Sequence, residues 1–249
     1  MKCCWLLFVL ALISGYVVAQ NYSAKEIVKL ADDKNRGLSS KGEMTMTIVR
    51  PDWSRSVTMK SWSKENDFAM VLITSPAKEK GQVFLKRRNE MWNWVPSIDK
   101  MVKMPPSMMS QSWMGSDFTN DDLVRGSSST DDFTHRLLRT EKMEGTDCYV
   151  IELIPKPESS VVYSKVLMWV SKDSYLQLRT ENYDEEMNLA STIIQRKIIR
   201  LGGRELPSEM EMIPADKKGN KTIITITKIE FNPPLSDEFF SVQHLKSIK

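Results

Sequence analysis

The chain has 249 residues, 41% of them hydrophobic and 27% charged, with a formal net charge of +3. That balance is too near neutral to draw nucleic acid by charge, so no nucleic-acid partner is expected. The length suits one large β domain or two small ones.

The first residues, "MKCCWLLFVLALISGYVVAQ", read as a secretory leader. Lys2 is the positive start, Cys3 to Val18 the apolar run, and Val17-Val18-Ala19 a small-residue cleavage pattern. The run falls just short of the length that spans a bilayer, so cleavage after Ala19 is expected rather than anchoring. Residues 1–19 are thus a signal peptide and residues 20–249 one exported domain. Of the three cysteines only Cys148 survives, which excludes an intramolecular disulfide.

The next stretch predicts a helix. In "NYSAKEIVKLADDKNRG", Ser23 and Glu26 form an S-x-x-E capping box. Ile27, Leu30 and Ala31 give an apolar stripe, and Gly37 a stop. From Lys41 the period changes to 2: Met44, Met46 and Ile48 alternate with polar residues, as do Val57 and Met59. In "DFAMVLIT" Phe68, Met70 and Leu72 share a face, with apolar neighbours on the other. Further strands are expected at 82–87, 90–95, 98–103, 133–142, 147–154, 161–171, 174–182, 190–201, 207–213 and 221–231, separated by Gly and Pro turns. At the end, Ser236 is placed to cap a turn that buries Phe239, Phe240 and Leu245. About a dozen strands with short connections predict a mainly β fold: one antiparallel sheet, strongly curved or nearly closed. Strands 68–73 and 161–170 are apolar on both faces, so each face needs a cover, either helix or ligand.

Catalytic inventory is thin. His135 and His244 are the only histidines, and with one Cys they cannot build a closed zinc site. "MGSDF" lacks the second glycine of a nucleophile elbow. "DFTNDD" places Asp117, Thr119 and Asp121 at calcium-loop positions, but an EF-hand needs Gly and Glu where Asp122 and Ser128 stand. Thr119 or Asn120 as an N-cap, with Asp121 and Asp122 in the first turn, explains the run without a metal. Cys148 alternates with Val150 and reads as a small buried hydrophobe. No enzyme, no metal site and no cofactor are expected.

Residues 91–114 concentrate six of the sixteen methionines, together with Trp92, Trp94 and Trp113. Met is flexible and polarisable, and it is over-used where a surface accommodates variable apolar partners. Pro105-Pro106 breaks the strand pattern, so "SMMSQSWMGSDF" reads as a loop or short helix lying over a cavity mouth. The expected ligand-binding set is Trp92, Trp94, Met101, Met104, Met108, Met109, Trp113, Met114 and Phe118, with residues 104–118 as a lid. Ordinary core packing is the competing account of each of these side chains.

The segment "MWNWVPSIDKMVKMPPSMMSQSWMGSDFTNDDL" resembles the outer-membrane lipoprotein-sorting (LolA-like) proteins of bacteria. That family carries roughly W-x-Y-x-P, a basic-apolar run, then F-M-G-S-D-F-S-Y-E-D-L. Trp92, Trp94 (for Tyr) and Pro96 match the first part. Met114, Gly115, Ser116, Asp117, Phe118, Asp122 and Leu123 match the last. Trp113 stands for Phe, Asn120 for Tyr, and Lys100 and Lys103 occupy a run richer in Arg in the family. "KGQVFLKRRNEMW" and "YSKVLMWVSKDSYLQLRTENYDEE" also fit, so the resemblance covers nearly all of residues 22–245. It implies an incomplete antiparallel β-barrel whose hydrophobic cavity is closed by helices. It also implies a monomeric, non-enzymatic periplasmic carrier and chaperone that delivers an acylated lipoprotein or lipid toward the outer membrane. Its partners would be an inner-membrane transporter and an outer-membrane acceptor. The chain is similar as well to accessory envelope proteins of lipid-exporting transporters, which implies an alternative without a cargo cavity.

Overall fold

The computed structural model describes residues 22–88, 90–120, 122, 129–157, 159 and 161–248; the leader and Leu123 lie outside the described residues. It opens with helix α1 (Ala24–Arg36). Ser23 and Glu26 exchange side-chain-to-backbone hydrogen bonds at its start, the reciprocal cap that the sequence spells. At its end Gly37, at φ 66°, donates its N–H to the Asp33 carbonyl. Arg204 Nη1 donates to the Asp33 and Lys34 carbonyls at 3.0 and 2.9 Å, so side chain and turn satisfy the orphan carbonyls of the last turn. The buried stripe is Ile27, Val28 and Ala31; Leu30 is only half-buried, because the helix lies rotated toward Val28.

The strands are β1 (Ser39–Val49), β2 (Ser54–Lys64), β3 (Phe68–Ser75), β4 (Val83–Arg87), β5 (Glu90–Val95) and β6 (Lys100–Met104), then β7 (Phe133–Met143), β8 (Thr146–Pro155), β9 (Lys165–Ser171), β10 (Gln177–Tyr183), β11 (Leu189–Leu201), β12 (Arg204–Pro214) and β13 (Lys221–Phe231). They form one thirteen-stranded sheet in the order β6-β5-β4-β3-β2-β1-β13-β12-β11-β10-β9-β8-β7, antiparallel throughout. Two meanders, β1–β6 and β7–β13, meet where β1 pairs with β13 from Ser40↔Phe231 to Val49↔Lys221. The sheet is not closed into a barrel: β6 and β7 are its two edges.

Three expected strands begin two or more residues later than the pattern suggests. Residues 161–164 precede β9 and residues 174–176 precede β10 without joining them, and the 98–103 run becomes a turn at Pro96–Ile98 followed by β6. Asp99, at φ 47°, makes that corner.

Both faces of β3 are covered, as its double apolar pattern requires. Phe68, Met70 and Leu72 pack with Trp62, Val83, Leu85 and Trp94 under the C-terminal segment, whose Phe240 and Leu245 are buried. Phe240 stacks on Phe68 at 5.3 Å between ring centroids. Phe239 is only half-buried, and Ser236 makes no side-chain cap bond there, so packing rather than capping fixes this segment. The opposite face carries Met46, Ile48, Val57, Met59, Ile73 and Phe84 toward Trp113 and Phe118. Side chains from β1 to β5 and from β12 and β13 converge on those two rings, which requires the sheet to curl around them; this is the concave face. α1 covers its far end through Phe133, Ile151, Leu153, Val166 and Met168.

Phe240→Ala is expected to cost about 3–5 kcal/mol, because the ring is fully enclosed and its site cannot collapse onto Phe68. Denaturant unfolding checks this; a loss below ~1 kcal/mol would show that the C-terminal segment contributes little to the fold.

Candidate functional site

Residues 111–120 form a tightly bonded plug. The Trp113 N–H donates to the Phe118 carbonyl at 2.8 Å, and the Asn120 N–H to the Gln111 carbonyl at 2.9 Å. Ser112 Oγ reaches the Ser116 carbonyl, and Asn120 Nδ2 holds the Met108 carbonyl at 2.8 Å. The turn runs through Met114 at φ 51° and Gly115 at φ 79°, a left-handed pair that a glycine makes feasible. It points Trp113 and Phe118 into the sheet, leaving them 1% and 3% exposed. Trp113 meets Phe84 edge-on at 5.3 Å. Burying a ring of this size is worth about 4–6 kcal/mol by area.

One ion pair ties the plug to the sheet. Arg50, just past β1, contacts Asp117 Oδ2 at 2.9 Å and donates through Nη2 to the Gly115 carbonyl at 2.9 Å. Thr222 Oγ1 on β13 donates to the same Asp117 oxygen at 2.7 Å and accepts from the Asp117 N–H at 3.0 Å. The Asp117 side chain is 3% exposed. Asp117 therefore serves an ion pair. Thr119 and Asp122 exchange hydrogen bonds as a reciprocal N-cap: Asp122 Oδ2 accepts from the Thr119 N–H and Oγ1, and Thr119 Oγ1 accepts from the Asp122 N–H.

The set that the sequence groups together is divided by the structure. Met104, Met109 and Met114 pack around Trp113 and Phe118 on the concave face. Met108 is half-buried and held through its carbonyl. Trp92, Trp94 and Met101 lie on the opposite face, beneath the C-terminal segment, with Lys103 over Trp92 and Lys246 over Trp94. The pleat is the reason: Met91 pairs with Met104 on one face, while Trp92↔Lys103 and Trp94↔Met101 fall on the other. Ser116 and Asp117 brace the plug, and Leu123 is outside the described residues.

A cavity of about 350 Å³ lies between the plug and α1. That is within the size range of ligand pockets, roughly 300–1,000 Å³. Its walls are Phe133, Leu153, Val166 and Met168 at one end and Ile193, Met210, Ile224 and Ile226 at the other. Of the expected ligand-binding side chains only Phe118 lines it, joined by Asp122 of the motif. Most of the remaining wall belongs to β8–β13, whose apolar alternation is indistinguishable in sequence from ordinary core. Burial raises the carboxyl pKa of Asp32, against the charge of Arg36 and the hydroxyls of Thr130 and Ser129. Burial likewise raises that of Asp122, against its bonds from Thr119 and Tyr163.

Among the described residues, no group of three His, Cys, Asp or Glu side chains is placed to hold a metal. His135 faces the Ser129 carbonyl and burial depresses its pKa; His244 packs on Phe239, and Cys148 is buried on β8. These groups lie on separate elements.

A family model described as "Uncharacterized protein" matches residues 65–247, well over half of the chain. A LolA superfamily protein from Nitrosomonas europaea is 26% identical and superposes with a TM-score of 0.78, covering 90% of this chain and 100% of its own. The chain belongs to the LolA-like family. A domain from Vibrio parahaemolyticus described as an outer membrane lipoprotein-sorting protein shares the LolA-like fold at TM-score 0.79 and 23% identity, covering 90% of this chain and 98% of its own. A DUF1329 family protein from Desulfovibrio piger does so at TM-score 0.81 and 23% identity, covering 89% and 97%. Comparison with curated proteins finds no match. In this LolA-like chain the M-G-S-D-F motif is thus the plug turn itself.

Arg50→Met leaves Asp117 buried without its cation and is expected to destabilise by about 3–5 kcal/mol. Amide exchange across residues 112–119 should rise together with that loss; unchanged protection there would mean that the pair does not hold the plug. The raised Asp32 carboxyl means the native state binds more protons than the unfolded chain above the usual value of 3.8. Its contribution to stability therefore falls as pH rises from 3.8 through the raised value. Asp32→Asn removes that loss, so the variant's melting temperature should gain on the wild type across this interval, and a pH-independent difference would contradict it.

Proposed function

We propose that the chain is a periplasmic, non-enzymatic carrier that holds acyl chains of lipoproteins or lipids in the cavity between α1 and the plug. It delivers them toward the outer membrane as a monomer, receiving cargo from an inner-membrane transporter and passing it to an outer-membrane acceptor. The observation that carries this reading is an apolar-walled cavity of ligand size on the concave face of an open, LolA-like sheet. Each buried methylene is worth about 0.8 kcal/mol, so even a partly enclosed chain repays its exposure to water without any chemistry. Residues 1–19 act as the cleaved export signal and residues 20–249 as the carrier domain. Exposed Lys100 and Lys103 on β6, and Arg136 and Arg139 on β7, blunt the open edges against pairing with a second copy.

One observation favours the alternative, an accessory or structural envelope protein without cargo. Trp113 and Phe118 already fill the β1–β5 half of the concave face. The two functions differ in what the protein carries when isolated. Periplasmic protein extracted with solvent is expected to yield acyl-bearing species by mass spectrometry, and purified protein to take up a fluorescent fatty acid. Ile193→Trp, which fills the cavity from β11, should weaken that uptake about tenfold or more, or ~1.4 kcal/mol. The melting temperature should change little. An empty extract with no uptake would leave the structural role.

A further inference from the structure

The antiparallel order brings every second connection of each meander to the same end of the sheet. Four of these lie in succession along that rim: the β5–β6 turn (96–99), the β3–β4 turn (76–82), the β1–β2 turn (50–53) and the β12–β13 turn (215–220). They touch in series. A methyl group on Gly81 would meet Pro96 Cγ at 3.3 Å, and one on Gly219 would meet Pro51 Cγ at 3.3 Å. Between them, Glu79 Oε1 lies 3.5 Å from Arg55 Nη1 at the start of β2. Backbone bonds hold each turn: the Asp99 N–H donates to the Pro96 carbonyl at 3.2 Å and the Lys80 N–H to the Pro76 carbonyl at 3.0 Å. The Arg50 N–H donates to the Trp53 carbonyl at 2.8 Å and the Asn220 N–H to the Lys217 carbonyl at 3.0 Å. The four turns form one preformed ridge.

Its chemistry is mixed in a particular way. Trp53 is 52% exposed and Ile98 59%. Lys78, Lys80, Lys100, Lys217 and Lys218, on or just after the same turns, are exposed and form no ion pair among the described residues. The exposed carboxyls of the ridge are Asp52, Asp99 and Asp216, and Asp99 already lies 3.9 Å from Lys246. Single exposed apolar side chains are ordinary. A Trp and an Ile on a fixed crest among unpaired lysines have the composition of an interfacial anchor, in which indole sits at headgroup level and lysines attract anionic lipid. A fluid surface needs no shape match, which suits side chains spread over successive turns. The other half of the rim differs: Glu185 and Glu186 stand exposed beside Met187 in the β10–β11 turn, so the attraction is confined to the β1–β6 side.

We propose that this ridge docks the protein peripherally on an anionic lipid surface, with Trp53 and Ile98 entering the headgroup layer and the five lysines lying over it. The docking is independent of what the cavity holds.

Flotation of the purified protein with vesicles tests it. Vesicles of phosphatidylglycerol and phosphatidylethanolamine are expected to bind it about tenfold or more tightly than vesicles of phosphatidylcholine, and added salt to weaken that binding. Lys78→Glu combined with Lys80→Glu should weaken it by about tenfold or more. Ile98→Ser should weaken it severalfold at an unchanged melting temperature, and Trp53→Ala should do the same to binding. Ile193→Trp, which fills the cavity, should float as the wild type does; its loss of binding would trace attachment to lipid uptake and overturn the ridge. Equal binding to both vesicle types, or to wild type and the double lysine variant, would also overturn it. No vesicle binding at all would do so too, and would leave an acidic protein as the partner the lysines fit.

Discussion

The pairing of β1 with β13 determines where everything else lies. It joins two simple meanders through their first and last strands, so the strands at the middle of the chain, β6 and β7, become opposite edges of the sheet. The connection between them, residues 105–132, must then run from one edge to the other. Across a flat thirteen-stranded sheet that connection would have to span about 58 Å, twelve strand spacings. In a curled one it crosses the open side. The plug lies on that crossing, over the concave face, and its apolar residues follow from that placement.

The concave face is divided between two covers of different kinds. α1 lies on β7–β9 and is fixed by reciprocal capping at one end and Arg204 at the other. The plug lies on β1–β5 and is fixed by Arg50, Asp117 and Thr222. The cavity is the space that neither covers, floored by β10 and β11. The C-terminal segment seals the outer face of β3–β5, which frees the inner face to carry long side chains without a second sheet behind it.

Much of this was legible in the sequence, for local reasons. The helix, its Ser23–Glu26 cap, the Gly37 stop and nearly every strand follow from period and turn residues, and the M-G-S-D-F motif marks a turn that needs a left-handed pair. What was not legible is which face each strand presents. Trp92 and Trp94 are chain neighbours of Met91 and Asn93 but lie across the sheet from them, and only the register with β6 shows which pair faces the concave side. Nor does a stripe such as Val166, Met168, Ile193 and Met210 reveal that it borders empty space rather than packed core.

Phe118 belongs to both halves of the molecule. Its backbone closes the plug turn, and its ring is at once a member of the plug cluster and a wall of the cavity. A guest that pushes this ring aside strains the turn that Arg50 and Asp117 secure. Linkage makes the effect mutual: whatever factor the guest takes from the latch, the latch takes from the guest's affinity. Loading and unlatching are then two descriptions of a single equilibrium, and an acceptor could empty the cavity by gripping the plug without ever touching the cargo.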